Sequence, residues 1–393
     1  METSDKDGVQ RRIMSKKFCA RSIVLALLSL NPIHLGVSWA AEAKPAWQVE
    51  WEKTVDAANR EGQVLIYAAV GPYHAEIFSQ FQKDYPEIKV VTTHGYSSRM
   101  SPRLLAERRA GKYLADVYMG GPDSLYGFYS NKLLDPIAPL FVLPEVLDKS
   151  KWWENRHYYI DPESKYIFVN EGSITAGLSV GFNTNVVKME ELKSYWDLLR
   201  PKWKGKIVSM DARDPSFGSV TLRFLYYHAE LGPEFIRRLF SEMDITISKV
   251  PTQIIDWVAV GKFAMCIFCR DELVNKAKAQ GVPLDSVDPN ELKEMPRLRG
   301  SASNLVFMNK APHPNAAKLF INWFLSRRGQ IVYQESHGDR DSLRVDIPKD
   351  KVPSASRRLS GRKYFFIESP QFMDAKLAIS IMENALAGRG KAP

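Results

Sequence analysis

The chain has 393 residues, 45% of them hydrophobic and 25% charged, with a formal net charge of +9. That composition excludes a disordered chain, which pairs low hydrophobicity with high net charge, and the length suffices for two compact lobes. Residues 1–41 carry six Lys/Arg against three Asp/Glu, so +6 remains elsewhere, scattered among carboxylates rather than gathered into the stripe that nucleic-acid binding requires.

Lys16, Lys17 and Arg21 precede the apolar run Ser22 to Leu30, and small residues follow at Ala40, Ala41 and Ala43. Charged, apolar, then small is the order of a secretory signal peptide, here residues 1–40, with cleavage after Ala40 or Ala43. The run is short for a span of about 20 residues, and Pro32 and His34 interrupt it, so export with cleavage is expected rather than a membrane anchor. From Val64 to Val70 a continuous apolar run reads as a strand covered on both faces. A helix follows, with Ile77, Phe78, Phe81 and Tyr85 on one face and Pro86 at its end. Ile88 to Thr93 is a strand, Pro102 to Gly111 an Arg-rich helix, and Ala115 to Met119 a strand closed by Gly120 and Gly121. Strand, helix, strand, helix, strand predicts a parallel, doubly wound sheet.

A second α/β unit begins with a strand over Gly177 to Phe182, a short helix over Tyr195 to Leu199 and a strand over Lys206 to Met210. Helices are expected over Val220 to Leu231 and Thr252 to Val260, and an apolar strand over Phe263 to Phe268. A last strand, Leu305 to Met308, leads into an amphipathic helix over Asn315 to Leu325, and one more helix is expected near Gln371 to Ala387. With no flexible linker, the fold class is α/β, two doubly wound lobes joined by a hinge that the chain crosses more than once. The expected division is 45–165 for the first part of lobe one, 166–301 for lobe two, and 302–393 for the return to lobe one and a helical tail.

Cys19 falls within the leader, leaving Cys266 and Cys269. On a continuous strand residues three apart face opposite sides, so two buried thiols are expected in place of a disulfide or a redox centre. Arg357, Arg358, Arg362 and Lys363 read as a solvated basic surface.

Four segments carry a resemblance: VLIYAAV with FSQFQKDYPEIKV, ADVYMGGPDSLYGFYSNKLLDPI, SYWDLLRPKWKGKIVSMDARDPSFGS, and APHPNAAKLFINWFLSRRGQIVY. Together they span roughly residues 60–345, and the chain resembles the ferric-type extracellular solute-binding proteins, a class of type II periplasmic binding proteins. The resemblance implies a receptor of an ABC importer that captures a small solute between two lobes and delivers it to a permease in the inner membrane. It implies a monomer with a small-molecule ligand, no nucleic-acid partner, no cofactor and no catalytic residue.

In open α/β sheets ligands bind beyond the carboxyl ends of the strands. In lobe one those ends offer Tyr73, His74, Ser97, Ser98, Arg99 and Gly121; in lobe two they offer Arg213, Phe217, Gly218, Ser219, Thr252, Gln253 and Arg270. The Phe217-Gly218-Ser219 helix start favours an anion through its backbone N–H groups and dipole, and the arginines offer forked donors to carboxylate or phosphoryl oxygens. Each has a plainer reading: Ser97 and Ser98 as helix caps, Tyr73 and His74 as ordinary loop residues, Arg213 paired with Asp211 or Asp214, Arg270 paired with Asp271. Tyr226 and Tyr227 read as core. The ferric class holds iron through a tyrosine pair just after a lobe-two strand, and here that position reads Ile267-Phe268-Cys269-Arg270. Phenylalanine cannot ligate and a thiol is a soft donor for Fe(III), so no metal site is expected and a small anionic solute is preferred. The alternatives are a ferric-iron receptor of the same class, a cleft enzyme of thiaminase type with Cys269 as nucleophile, and a ligand-loaded receptor read by a membrane sensor.

Overall fold

The computed structural model describes residues 43–69, 73–121, 123–175, 177–213, 218–298, 300 and 303–388. The leader, Gly71, Pro72 and Phe217 lie outside them, as do the side chains of Tyr73, Ser97 and Ser98. Residues 1–43 and 44–393 form separate units, and the helices and strands of the described residues all belong to the second. Among the described residues no helix is long and apolar enough to cross a membrane.

The chain opens with α1 (Ala46–Glu61), β1 (Gln63–Ala69), α2 (Tyr73–Asp84), β2 (Lys89–Gly95), α3 (Ser97–Arg109) and β3 (Val117–Gly120). It continues through β4 (Leu134–Asp135), α4 (Pro144–Leu147), β5 (Tyr158–Tyr159), β6 (Ile167–Val169), β7 (Ile174–Thr175) and β8 (Val180–Asn183). Then come β9 (Ile207–Met210), α5 (Gly218–Tyr227), α6 (Gly232–Glu242), β10 (Thr246–Ser248), α7 (Pro251–Ala259) and β11 (Met265–Ile267). The last elements are α8 (Asp271–Ala279), β12 (Leu284–Ser286), β13 (Arg297–Leu298), β14 (Asn304–Met308), α9 (Pro314–Leu325), α10 (Arg327–His337), β15 (Phe365–Phe366) and α11 (Lys376–Ala387).

Two sheets form two lobes. In lobe one the order is β2-β1-β3-β14-β6-β5, with β4 also paired to β14; β2, β1 and β3 run parallel and β14 returns antiparallel. In lobe two the order is β10-β9-β11-β8-β12, with β10, β9 and β11 parallel and β8 antiparallel. Each lobe has its own core. Phe81, Phe320 and Phe324 sit in the first, and Leu222, Phe235 and Phe240 in the second.

α9 is the amphipathic helix expected over Asn315 to Leu325. Glu61, at the end of α1, caps it by accepting from the Ala316 N–H at 2.7 Å and from the Asn315 amide at 2.7 Å. α3 begins at Ser97, five residues before the expected start, with Pro102 inside it. Proline is tolerated near a helix start, where few N–H groups have partners to lose. The expected helix from Val220 to Leu231 ends at Tyr227, and the left-handed Gly232 (φ 69°) opens the separate helix α6.

A third, three-stranded sheet, β15-β13-β7, joins the lobes. The chain passes from β6 through β7 to β8, then back from β13 to β14. It crosses a third time after α10 through β15 to α11, whose Ala378 and Met382 are buried in the lobe-two core. The pairing directions fix where these crossings attach. β6 leaves lobe one, and β14 enters it, at the carboxyl edge of β3; β8 enters lobe two at the carboxyl edge of β11. The carboxyl edges of the two parallel strand sets are therefore the edges at which the crossings attach.

The basic tail is not the solvated surface expected of it. Arg358 is buried and bound to Asp341 at 2.9 and 3.1 Å, and Asp341 also takes Lys349 at 2.7 Å. Arg362 donates to the carbonyls of Leu292 (2.6 Å), Pro289 and Glu294 in lobe two. Its fork fits a loop whose carbonyls have no strand partners. Lys363 alone of the four is exposed.

Candidate functional site

Lobe one presents a nearly filled floor at the carboxyl ends of β1 and β3. A cavity of about 10 Å³, enough for one water at most, is lined by Ala69, His74, Met119, Gly120, Glu171, Ser303, Tyr333, His337 and Arg340. Glu171 is fully buried and takes the Arg340 guanidinium at 2.8 Å, which raises the affinity of that arginine for its proton. The Tyr333 hydroxyl lies 3.5 Å from the other Glu171 oxygen. His337 donates through Nδ1 to the Tyr333 carbonyl at 2.9 Å. His74 lies in the first turn of α2 with its ring stacked on Phe78, 5.7 Å between centroids, and 5.8 Å from His94. Burial pushes the His74 imidazole down to about 3, helped by the neighbouring His337 and His94 and opposed by a backbone hydrogen bond to Ala69. Burial likewise pushes His337 down to about 4. Both rings are neutral near pH 7, so they add hydrogen-bonding groups and shape to this floor but no charge.

Gly120 and Gly121 close β3 over a polar network. A Cβ on Gly120 would lie 2.0 Å from the Tyr118 hydroxyl, so only glycine fits. That hydroxyl donates to Asp123 at 2.6 Å, and the Asn304 amide donates to the Gly121 carbonyl at 3.0 Å. The network fixes the backbone of the strand end that the sequence marked at Gly121. Arg99 is exposed on the first turn of α3, and Ser97 and Ser98 begin that helix. Tyr96, just before them, is 64% exposed.

On lobe two the helix starts follow strand ends, as expected. Gly218 opens α5 against the Ala212 carbonyl, 2.4 Å from where a Cβ would sit, which excludes any other residue there. Ser219 follows, half-buried. Thr252 and Gln253 lie exposed in the first turn of α7, and the Gln253 side-chain oxygen accepts from Ser248 at 3.0 Å. Arg213 forms a two-pronged pair with Asp211 at 2.7 and 2.8 Å, which holds the Asp211 carboxyl below its usual range. Arg270 leans on Glu272 at 3.4 Å rather than on Asp271, which accepts from the Ser179 hydroxyl at 3.1 Å. The structure therefore gathers Arg213, Gly218, Ser219, Thr252, Gln253 and Arg270 along one edge of lobe two, and His74, Arg99 and Gly121 along one edge of lobe one. It adds Glu171, Tyr333, His337 and Arg340, which sequence reasoning missed. They are too far apart in the chain to form a motif, and only the place of Glu171 just after β6 offered a signal.

Tyr226 and Tyr227 are half-buried against the lobe-two core, and the Tyr227 hydroxyl donates to the Asp374 carbonyl at 3.2 Å. At the position of the tyrosine pair Phe268 is fully buried. Among the described residues no three or more His, Cys, Asp or Glu side chains are grouped to hold a metal ion.

The expectation of two thiols is overturned. Cys266 and Cys269 are joined in a disulfide, with Cα atoms 6.0 Å apart. The strand stops at Ile267 and Phe268 turns left-handed (φ 53°), so Cys269 swings to the side of Cys266 where an unbroken strand would have opposed it. A cysteine so bonded cannot serve as the nucleophile that the enzyme alternative requires while the bridge is intact.

The sequence profile of the bacterial extracellular solute-binding protein family matches residues 68–331. No curated protein matches. Among solved structures, an iron-binding protein (IdiA, FutA) from Trichodesmium, in complex with iron and citrate, is 19% identical with a TM-score of 0.61, covering 82% of this chain and 99% of that one. AfuA from Actinobacillus pleuropneumoniae, with fructose-6-phosphate bound, is 17% identical with a TM-score of 0.53, covering 84% and 100%. PotD of a Streptococcus pneumoniae spermidine/putrescine ABC transporter is 16% identical with a TM-score of 0.51, covering 74% and 86%. At these identities the likeness establishes the fold, the two-lobed type II periplasmic-binding-protein architecture.

Proposed function

From the premise that this chain belongs to the bacterial extracellular solute-binding protein family and serves as the substrate-binding protein of an ABC importer, we propose that it captures a small anionic solute between its lobes. Members of this family bind small ligands and hand them to ABC permeases. The ligand enters with the lobes apart, and closure about the hinge makes the form that docks on the permease. Binding needs to shift that equilibrium by only a few kcal/mol.

The observation that carries the ligand class is the pair of exposed guanidinium groups at the lobe-two edge, Arg213 and Arg270, 45% and 47% exposed. Their present partners are neighbouring carboxylates in solvent-exposed pairs worth about 0–1 kcal/mol each. An arriving carboxylate or phosphoryl group replaces them at little cost and gains closure of the cleft. The lobe-one floor then receives the uncharged part of the solute. Export through residues 1–40 and action as a monomer belong to the same reading.

Melting temperature against a ligand panel tests the proposal: phosphonates, sugar phosphates, thiamine, polyamines, and Fe(III) with and without a carrier anion. A ligand at about 100 times its dissociation constant stabilises by roughly 2.7 kcal/mol. A shift with a phosphoryl compound that vanishes in Arg213→Ala supports the reading. A shift with Fe(III) alone contradicts it. N-terminal sequencing of the exported protein checks the cleavage after Ala40 or Ala43.

A further inference from the structure

The chain between Ile267 and Asp271 makes an abrupt reversal at the lobe-two edge of the cleft. β11 holds Cys266 in the sheet, paired with Val208 on one side and Gly181 on the other. Phe268 then adopts φ 53°, a region that bulky residues avoid, with its ring fully buried 6.1 Å from that of Phe240. Both cysteines are about 1% exposed, and a Cβ on Gly181 would lie 3.0 and 3.4 Å from the two sulfurs, so a glycine stands under the bridge. The Cys269 sulfur is 3.7 Å from the Ser179 carbonyl. Immediately after the bridge Arg270 caps α8, and Asp271 takes the Ser179 hydroxyl. The covalent link thus joins β11 to the residue before the cap of α8, the start of β8 packs beside it through non-covalent contacts, and the residue it leads into is Arg270.

A bridge closing so short a loop removes little chain entropy from the unfolded state compared with one closing a long loop. Its principal effect is local: it holds Phe268 in a conformation its side chain disfavours and so sets the direction in which Arg270 leaves the sheet. Disulfides of this kind form outside the cytoplasm.

We propose that the Cys266–Cys269 disulfide is a competence switch for the cleft, so that the lobe-two rim takes its binding shape only once the two thiols have been oxidised after export. The proposal rests on the reading of the chain as an exported binding protein. In the oxidation one cysteine thiolate attacks a disulfide-bearing protein oxidant to form a mixed disulfide, and the second displaces it. Two electrons and two protons pass to the oxidant, which leaves as a dithiol. In the reduced chain nothing covalent holds the left-handed turn, and residues 268–271 relax toward extended backbone, carrying Arg270 out of line with Arg213.

Protein recovered from the periplasm, quenched in acid, then denatured and alkylated at neutral pH and weighed as peptides, should carry the bridge intact and no label on either cysteine. Hydrogen exchange is then compared among that protein, the same protein reduced with a phosphine and alkylated, and Cys266→Ala/Cys269→Ala. At least tenfold faster exchange is expected for amides 268–273 and 179–181 in both bridge-free forms, with the amides of β1 and β3 unchanged. Should the double variant fold poorly, the reduced and alkylated wild-type protein gives the same readout. Thiols labelled in the exported protein, or equal exchange with and without the bridge, overturn the proposal. The comparison uses no ligand, so it decides the matter whether or not the proposed ligand class survives.

Discussion

On the lobe-one side of the cleft Glu171, Tyr333, His337 and Arg340 are buried or nearly so and tied to one another. On the lobe-two side Arg213 and Arg270 stand in solvent and lean on carboxylates two residues away. The first arrangement is a fixed surface, since moving any member strands a partner out of water. The second is adaptable, since exposed pairs exchange partners at little cost. In the proposed clamp one jaw would set shape and the other supply charge.

The largest test of this contrast is acid. Three lobe-one histidines, His74, His157 and His337, are held at about 3, 4 and 4 by burial, below the ordinary 6.5. Such a ring takes its proton first in the unfolded chain. Its contribution is therefore intact above about pH 6.5 and declines as pH falls toward 4, by up to about 1.4 kcal/mol per pH unit for each ring. In lobe two His228 is the corresponding histidine among the described residues, also lowered by burial. Hydrogen exchange at pH 5 should show lobe-one strands losing protection before those of lobe two. Simultaneous loss would place the acid-sensitive groups elsewhere.

Next in size is the buried pair. Glu171→Gln removes the buried carboxylate that faces Arg340, leaving it only the exposed Asp339 at 3.3 Å, and should lower the unfolding free energy in urea by about 3 kcal/mol. Arg362→Ala, which frees the Leu292 carbonyl and its neighbours, should lower it by about 1–2 kcal/mol and speed proteolysis between Ser354 and Tyr364. Asp211→Asn, on the adaptable jaw, should change it by less than about 0.5 kcal/mol. If Asp211→Asn matched Glu171→Gln, the contrast between the jaws would be wrong.

Much of the fold was legible because its signals are local. The continuous run at Val64 to Val70 and the face of Leu319, Phe320, Trp323 and Phe324 announced β1 and α9 through periodicity alone. α6 was passed over although Gly232 and Pro233 open it and Phe235, Ile236, Leu239 and Phe240 form its buried face. The disulfide was misread for a sharper reason. Opposite facing of the two cysteines requires an extended Phe268, and nothing in the identity of a phenylalanine signals a left-handed backbone. The lobe-one floor was invisible because Glu171 and Arg340 meet across 169 positions of sequence. In the tail, charge density suggested solvent, whereas burial of Arg358 depends on Asp341, and the role of Arg362 on unpaired carbonyls far upstream.

Small-angle scattering of the mature protein, with and without the phosphoryl compound that gives the largest thermal shift, tests the clamp most directly. The account predicts a smaller radius of gyration at saturation, and no such change for Arg213→Ala at the same concentration. An unchanged radius in the saturated wild-type protein would contradict closure of two lobes about a hinge.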